Sequence, residues 1–295
     1  MKRVMLIINP ISGKTKPKSM LFEIIDIMSQ FGAVVTSRIT RKEGDALDFA
    51  YDACNSENYD YIVACGGDGT LSETISGILK SHNPVPLGYI PCGSTNDYAK
   101  SLGISSDYIQ AAKTAVTGKK YPVDIGEING RNFNYIASFG IFTSVSYNAP
   151  RNLKSMLGHM AYVLEGTKEL TKIKSYHVRI ETDSGVYEDD YIFGAIANST
   201  SIGGIVKLDE TMVSFNDGVF EICLVKMPKN PSDLIKIVKG TMNSDFTSDC
   251  FEFFRASSLK IEAPGNMAWS LDGEKYEPGS DITVDIIHSA VNIIL

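Results

Sequence analysis

The stretch YIVACGGDGTLSE, residues 61–73, constrains the fold more than any other part of the chain. Its apolar first half is typical of a buried β-strand, and the glycines that follow lead into a helix-forming segment. Glycine lets backbone N–H groups approach an anion closely because no Cβ atom intervenes. The N-terminus of the following helix points at the same place. This order of elements indicates an α/β fold and suits a phosphate-binding loop.

Asp68 in this loop argues for a metal ion, because a bare carboxylate beside a phosphate repels it. A divalent cation such as Mg²⁺, which prefers oxygen ligands, removes the conflict. The loop therefore suggests a nucleotide triphosphate bound together with Mg²⁺. A plain strand-to-helix turn with a capping aspartate explains the same residues, and on this motif alone both interpretations stay open.

The pattern of the first half of the chain predicts a parallel sheet. Strand-like runs alternate with helical periodicity and comprise VMLII (4–8), AVVTSRIT (33–40), YDYIVAC (59–65) and VPLGYIP (85–91). Such alternation predicts helices on both faces of the sheet and ligand sites at the carboxyl ends of the strands. After Val123 hairpin-like strands take over, interrupted by helical stretches near 153–173 and 232–242, so the second half is expected to be mostly antiparallel β-structure.

Composition narrows the functional classes. With 43% hydrophobic and 21% charged residues, the composition is that of a soluble globular protein. A net charge of -7 argues against nucleic-acid binding. Five widely spaced cysteines without a CxxC pair predict reduced thiols in a cytoplasmic protein. The four histidines lie far apart, which argues against a zinc site: His82, His159, His177 and His288.

Two further loops follow predicted strands and are expected at the same edge of the sheet. NPISGK (9–14) follows the first strand, and PCGSTNDYAK (91–100), which contains Asp97, follows the fourth. Each alone is most simply an ordinary loop, but three polar loops at one sheet edge can form a site. A Walker A loop is excluded because Ile8 stands where it needs glycine, and Ser72 excludes a dinucleotide fingerprint in the same way.

These motifs carry a resemblance to a known family. NPISG, GGDGT, PCGSTNDYAK, VDIGEING and SLDGE occur in the order and spacing of the diacylglycerol kinase catalytic family, over essentially the whole chain. GGDGT alone is shared with NAD kinases, so GSTNDYAK and the later DGE are more specific. The resemblance implies an α/β plus β protein, with a nucleotide-binding α/β domain at 1–126 completed by about 283–295. It implies a β-sandwich-like lipid-substrate domain at 127–282.

The resemblance also implies the site residues. Those around ATP are Asn9, Ser12, Gly13, Thr40, Gly66, Gly67, Asp68, Gly69, Thr70, Thr95 and Asn96. The aspartates implied to hold Mg²⁺ through water are Asp68, Asp97 and Asp124. A second, structural Mg²⁺ is implied at SFNDGVF, with the side chain of Asp217 as a ligand and the carbonyl groups of Ser214 and Val219 in supporting roles. Asp272 is implied as the catalytic base, and Glu274, which points the same way if this segment is a strand, either orients or replaces it.

Each of these positions has a structural alternative. Asp97 can cap a helix, and Asp124 can simply end a strand. NDG at 216–218 is a strong hairpin-turn signal without any metal, and LDGE at 271–274 reads equally well as a tight turn. The segment ANSTSIGGIVKLDE (197–210) lacks the glycine-rich run common in the family, which leaves the acceptor lipid open.

A lipid substrate requires contact with a membrane, and residues 151–174 offer one. This segment carries five basic and two acidic residues, so its charge is +3 while the remainder of the chain is -10. Its apolar residues fall on one helical face, as in helices that lie on anionic membranes at the inner face of the cell. A core helix with a solvated basic side is the alternative. A homodimer is also compatible with the sequence.

Three functions are consistent with these features. The leading hypothesis is an ATP- and Mg²⁺-dependent kinase of diacylglycerol or a related lipid alcohol. Phosphorylation of a soluble acceptor such as NAD is disfavoured by GSTNDYAK and the downstream DGE. A catalytically silent regulatory protein that binds nucleotide is disfavoured because the four aspartates, Asp68, Asp97, Asp124 and Asp272, are all present.

Overall fold

A computed structural model describes residues 1–13, 17–141, 173–202, 206–207 and 213–295. The chain forms two compact units, one made of Met1–Asp124 with His288–Leu295 and the other of Ile125–Ile287. The sequence placed domain boundaries after residues 126 and 282. The functional roles assigned to those domains remain predictions.

The first unit alternates strands and helices. Its elements are β1 (Lys2–Ile8), α1 (Pro17–Gln30), β2 (Ala33–Ile39), α2 (Asp45–Asn55), β3 (Tyr61–Gly66), α3 (Asp68–Lys80), β4 (Leu87–Pro91), α4 (Asp97–Ser101) and α5 (Tyr108–Thr117). Strand β1 pairs in parallel with β2 and β3, and β3 pairs in parallel with β4. The predicted parallel α/β half of the fold is therefore confirmed.

Alternation along the strands builds the core of this unit. Every second residue of β1, Val4, Leu6 and Ile8, packs into one buried cluster. Ile24 and Met28 of α1, four positions apart and therefore on one helical face, join that cluster and are fully buried. All five cysteines are free thiols and buried, as their spacing predicts.

The second unit is built mainly from antiparallel strands. The elements from Lys120 onward are β5 (Lys120–Ile128), β6 (Arg131–Phe133), β7 (Ile136–Gly140), β8 (Tyr176–Thr182), β9 (Gly185–Ala197), β10 (Ser201–Ile202), β11 (Val206–Lys207), β12 (Phe220–Lys226), α6 (Pro231–Asn243), β13 (Phe251–Ala256), β14 (Ser258–Glu262), β15 (Trp269–Leu271), β16 (Glu274–Tyr276) and β17 (Asp281–Ile294). The hairpin of β8 and β9, the pair of β7 and β9, and the pair of β12 and β9 are all antiparallel. This confirms the predicted antiparallel half.

The final strand, β17, has partners along both of its halves. Residues 281–285 pair antiparallel with β14, and Ile293 pairs in parallel with Leu87 of β4. Val291 and Ile293 are buried in the first unit, which explains the apolar character of the last residues.

The predicted membrane-contact segment 151–174 lies, except for its last two residues, outside the described residues, as does most of the helix predicted near 153–173. Within the part of the chain that the structure describes, no helix combines the length and apolar character needed to cross a membrane.

His177 on β8 links two carboxylates of β9. Its Nδ1 lies 3.1 Å from Asp190 Oδ1, and its Nε2 lies 3.3 Å from Glu188 Oε1. The hydrogen bond to Asp190 and then that to Glu188 raise the pKa of His177 above its usual value, because both favour the protonated ring. A raised folded-state pKa means that the protonated ring stabilises the fold at low pH and that this contribution disappears as the pH rises through that pKa.

We therefore expect the contribution of His177 to the free energy of unfolding to fall as the pH rises above 6.5, the ordinary histidine pKa, and through the raised pKa of the folded state. A His177→Gln variant should lose that part of the slope, because glutamine carries no titrating proton. Urea unfolding of both proteins across these pH values measures the difference. Equal slopes in the two proteins would show that His177 does not contribute.

Candidate active site at the carboxyl ends of the parallel strands

The loops that follow β1, β3 and β4 contact one another through glycine backbones. A Cβ atom added to Gly13 would lie 2.0 Å from the carbonyl oxygen of Cys92. A Cβ atom on Gly67 would lie 3.1 Å from Ser12 Oγ and 3.2 Å from Gly93 Cα. The three loops predicted to share this edge of the sheet are therefore in direct contact, and they pack this closely because the contact positions are glycine.

Asn9 ties the first loop to the second. Its backbone N–H donates to the carbonyl oxygen of Cys65 at 2.9 Å, and its side-chain Nδ2 donates to Thr70 Oγ1 at 3.2 Å. Thr40, directly after β2, donates both its N–H and its hydroxyl to the carbonyl oxygen of Ile8, at 2.9 and 3.3 Å. The predicted nucleotide residues Asn9, Thr40 and Thr70 thus lie at one sheet edge.

The GGDGT segment joins β3 to α3. Gly66 ends the strand, Gly67 is the residue before the helix, and Asp68 is the first helical residue. Gly67, not Asp68, is the N-cap residue, and as an acidic residue in the first turn Asp68 complements the positive end of the helix dipole. Gly66 packs against Thr70, since an added Cβ would lie 2.5 Å from Thr70 Oγ1, whereas Gly69 is exposed. Both interpretations of the motif are compatible with this geometry.

The third loop is held by Asn96, whose φ of 50° lies in the left-handed region. Its Oδ1 accepts a hydrogen bond from the Gly93 N–H at 2.8 Å, and its Nδ2 donates to the Gly93 carbonyl at 2.9 Å. The side chain of Asn96 therefore braces the loop, while Thr95 beside it is partly exposed.

The buried Tyr89 links the second and third loops through its hydroxyl group. Its hydroxyl lies 3.3 Å from the carbonyl oxygen of Gly66 and 3.4 Å from Asn96 Oδ1. Burial, and then the charge of Asp68, raise the pKa of Tyr89 far above its usual value. The phenol consequently stays protonated and serves as a donor.

The three aspartates implied to hold Mg²⁺ differ in their surroundings. Asp97, the first residue of α4, forms an ion pair with Lys100 at 3.3 Å. Asp124 is fully buried and accepts the Ser289 N–H at 2.6 Å. Among the described residues no group of three or more His, Cys, Asp or Glu could hold a metal ion directly. Binding of Mg²⁺ through water by these aspartates stays a prediction.

Asp272 and Glu274 lie on either side of a two-residue hairpin turn rather than on one strand. Leu271 pairs with Glu274, and the φ values of Asp272 and Gly273 are 50° and 95°, as in a type I′ turn. LDGE therefore forms the tight turn. Asp272 and Glu274 do not share a strand, so the reason for expecting their side chains to point the same way does not apply.

The two carboxylates also have different partners. Asp272 Oδ2 accepts the Asn134 N–H at 2.6 Å, and its Oδ1 accepts the N–H groups of Tyr135 and Ile136, both at 3.1 Å. Glu274 forms an exposed ion pair with Arg131 at 3.0 Å. The backbone of residues 134–136 thus fixes the orientation of Asp272, whereas no such support holds Glu274.

In the predicted second metal loop, a positively charged side chain already contacts Asp217. Asp217 Oδ2 pairs with the Arg255 guanidinium, and Oδ1 accepts the Val219 N–H at 3.3 Å. Ser214 donates its hydroxyl to Asn216 Oδ1 at 3.1 Å. In this arrangement Arg255 supplies positive charge to Asp217, and binding of a second Mg²⁺ by Ser214, Asp217 and Val219 stays a prediction.

Arg255 also contacts Glu221, a fully buried carboxylate, through its Nε at 3.1 Å. Burial raises the pKa of Glu221 to about 7, although the nearby guanidinium opposes that shift. Arg255 therefore forms ion pairs with two acidic side chains, the partly exposed Asp217 and the buried Glu221.

Three residues of this region were missed in the sequence. Tyr89 was read only as part of a strand, and His288 was considered only as a zinc ligand. Glu73, the last letter of the opening motif, accepts the N–H groups of Gly44 at 3.0 Å and Ala46 at 3.1 Å, and so caps α2 from α3. The contacts of Glu73 had no local signal in the sequence, because its partners lie 29 and 27 residues away.

Comparison with known proteins gives a consistent result. Residues 3–128 match the diacylglycerol kinase catalytic domain, and residues 136–295 match the YegS C-terminal NAD kinase beta sandwich-like domain. A diacylglycerol kinase of Bacillus subtilis (strain 168) is 34% identical over 276 residues, covering 93% of this chain and 90% of the relative. One of Staphylococcus epidermidis (strain ATCC 12228 / FDA PCI 1200) is 34% identical over 274 residues, covering 92% and 86%.

The fold is also found among solved structures. A diacylglycerol kinase from Bacillus anthracis str. Sterne superposes with a TM-score of 0.77 at 22% identity, covering 99% of this chain and 96% of that one. At this identity the likeness concerns the fold alone.

The glycine contacts lead to a test by substitution. Gly13→Ala combines a left-handed φ of 63° with a clash 2.0 Å from a carbonyl oxygen, whereas Gly103→Ala has a φ of 69° and nothing within 4 Å. In both variants the free energy of unfolding should fall by the roughly 1–2 kcal/mol that a left-handed φ costs an L-residue. The fall in Gly13→Ala should be clearly larger than that in Gly103→Ala, because of the clash. Urea unfolding measures both. Equal losses would show that the first and third loops are not in contact.

Proposed function

This chain belongs to the diacylglycerol kinase family and is a lipid kinase, and on that premise we propose that it transfers the γ-phosphoryl group of ATP to the hydroxyl of diacylglycerol or a related lipid alcohol. The observation that carries the proposal is the contact of three glycine-containing loops at the carboxyl ends of β1, β3 and β4, with Asp68 at the N-terminus of α3. A site of this kind suits a chain of phosphates.

In the proposed mechanism the backbone of the glycine loops holds the phosphates of ATP. The nucleotide residues are those implied by the family pattern, and the loop contacts of Asn9, Gly13 and Thr70 support their placement at one edge. Phosphoryl transfer depends on positioning and on charge neutralisation more than on covalent chemistry by the protein. A rigid edge of this kind therefore contributes by fixing the position of the γ-phosphate.

Mg²⁺ fits the chemistry of the proposed ligands, because carboxylate oxygens are what it prefers. When bound with ATP, it neutralises charge on the phosphate oxygens. Asp68, Asp97 and Asp124 are proposed to hold it through water.

Asp272 is proposed to accept the proton of the lipid hydroxyl as that oxygen attacks the γ-phosphorus, while the bond from the γ-phosphorus to the β,γ-bridging oxygen breaks and ADP leaves. The amides of Asn134, Tyr135 and Ile136 orient its carboxylate, and a fixed orientation favours a general base. Glu274 is the alternative base, but its partner is the exposed Arg131.

The structural Mg²⁺ at Ser214, Asp217 and Val219 enters the proposal with one condition. An ion could bind there only if Asp217 exchanged its contact with Arg255 for the ion. We propose further that the enzyme is cytoplasmic and reaches its lipid at the inner membrane face, with residues 151–174, of which only the last two are described, as the contact.

Transfer of labelled γ-phosphate from ATP to a panel of lipids and to NAD tests the proposal. NAD belongs in the panel because the matched C-terminal domain is named for its likeness to NAD kinase. Label in diacylglycerol or a related lipid alcohol is the expected result. Label in NAD alone would assign the soluble acceptor, and ATP binding without transfer to any acceptor would assign a silent regulatory protein.

The identity of the base leads to a prediction at Asp272. Asp272→Asn should lower kcat by at least ~10²-fold, the lower range for loss of a general base, while ATP binding stays unchanged. Asparagine tolerates the left-handed φ of this turn but accepts no proton. Single-turnover transfer and nucleotide binding measure the two effects, with melting temperature as a check on folding.

Glu274→Gln is the matched control, since it changes the other carboxylate of the same hairpin. It should retain transfer close to that of the unmodified protein. Near-normal turnover by Asp272→Asn together with loss in Glu274→Gln would instead assign the base to Glu274.

A further inference from the structure

A break in the geometry of β17 lies beside Asp124. Ser289 has a φ of 50°, in the left-handed region, in the middle of a strand that runs from Asp281 to Ile294. A non-glycine residue in this conformation costs free energy and persists where its surroundings impose it. The consequence here is that the Ser289 N–H points at Asp124 Oδ1, at a distance of 2.6 Å.

His288, the residue before the break, contacts the same oxygen. Its Nδ1 lies 2.9 Å from Asp124 Oδ1. Asp124 is fully buried, whereas the His288 side chain is 58% exposed. Two adjacent residues of β17 therefore hold one oxygen of a buried carboxylate, which fixes the orientation of the whole group.

The hydroxyl of Ser289 completes the arrangement. Ser289 Oγ lies 3.3 Å from His288 Nε2. If this hydroxyl donates to Nε2, the proton of the neutral ring must be on Nδ1, the nitrogen that faces Asp124. Ser289 then acts on Asp124 twice, directly through its N–H and indirectly by setting the tautomer of His288.

We propose that His288 and Ser289 are positioning residues that orient Asp124 toward the cation accompanying the nucleotide. The inference rests on the proposed function, in which Asp124 holds Mg²⁺ through water. Hydrogen bonds from neighbouring groups orient the carboxylates and imidazoles of metal sites in general. An arrangement of backbone strain, buried carboxylate and histidine ring meets that description, and a simple strand end does not require it.

The test compares binding of Mn²⁺, used as a spectroscopic substitute for Mg²⁺, in the presence of a non-hydrolysable ATP analogue. His288→Ala should weaken Mn²⁺ binding, measured by electron paramagnetic resonance, by about 10-fold or more, the usual effect of losing a partner that orients a metal ligand. The Mg²⁺ concentration for half-maximal transfer should rise in parallel, while the KM for lipid stays unchanged.

Rescue separates positioning from general stability. His288→Asn should bind Mn²⁺ nearly as well as the unmodified protein, because the asparagine amide can donate where Nδ1–H did. His177→Ala is the matched control, since His177 is also an exposed histidine in contact with carboxylates, in its case Glu188 and Asp190 instead of Asp124. It should leave Mn²⁺ binding unchanged.

The outcomes are distinct. If the unmodified protein binds Mn²⁺ with the analogue and His288→Ala binds it equally well, the inference is wrong and the proposed function stands. If the unmodified protein neither binds Mn²⁺ nor transfers phosphate, the proposed function fails and the inference with it. If His288→Ala does not fold, Ser289→Ala decides: it keeps the N–H but lacks the hydroxyl, and unaltered Mn²⁺ binding would contradict the proposed network.

Discussion

The close approach of three loop backbones is the constraint on which the candidate site depends. Gly13, Gly67 and Gly93 meet where no Cβ atom has room, and an added Cβ on Gly93 would lie 2.7 Å from Gly67 Cα. Because the loops touch through main chain, their peptide groups lie at the surface of the sheet edge instead of being covered by side chains. The start of α3 then adds its positive dipole end at the same edge. The glycines therefore have two effects: they let the loops pack closely, and they leave peptide groups available to an anion.

The groups beneath and beside these loops differ in charge. Beneath them lie Cys65 and Cys92, whose sulfur atoms are 3.6 Å apart, and the protonated phenol of Tyr89. The hydrogen bond to Cys92 and then burial raise the pKa of Cys65, so that thiol stays neutral. Negative charge comes instead from Asp68 and Asp97, each the first residue of a helix. An anion bound at this edge would lie near these aspartates, and the cation of the proposed function would offset their charge.

Local patterns predicted the fold well and the contacts of the site only in part. Alternation of strands and helices, and the hairpin of β8 and β9, depend on neighbouring residues and were correctly predicted. The turn at Asp272 was one of two interpretations of LDGE, and the Asp-Gly pair that favours a two-residue I′ turn was the local signal for it. The pairing of Asp217 with Arg255 joins residues 38 apart, and that of Asp124 with Ser289 joins residues 165 apart. Such contacts are set by tertiary packing, which one sequence does not encode as a local pattern.

The position of Asp124 in the chain gives its contacts a second significance. Asp124 is the last residue of the first unit before the chain enters the second, and His288 is the first residue after it returns. The hydrogen bonds between them therefore join the two points at which the chain crosses between units. A residue held at such a junction is oriented by two separate strands, β5 and β17, rather than by one flexible loop. A carboxylate proposed to act through a water-bound ion needs a fixed direction. The backbone of β5 carries Asp124, and the N–H of the left-handed Ser289 on β17 holds its side chain.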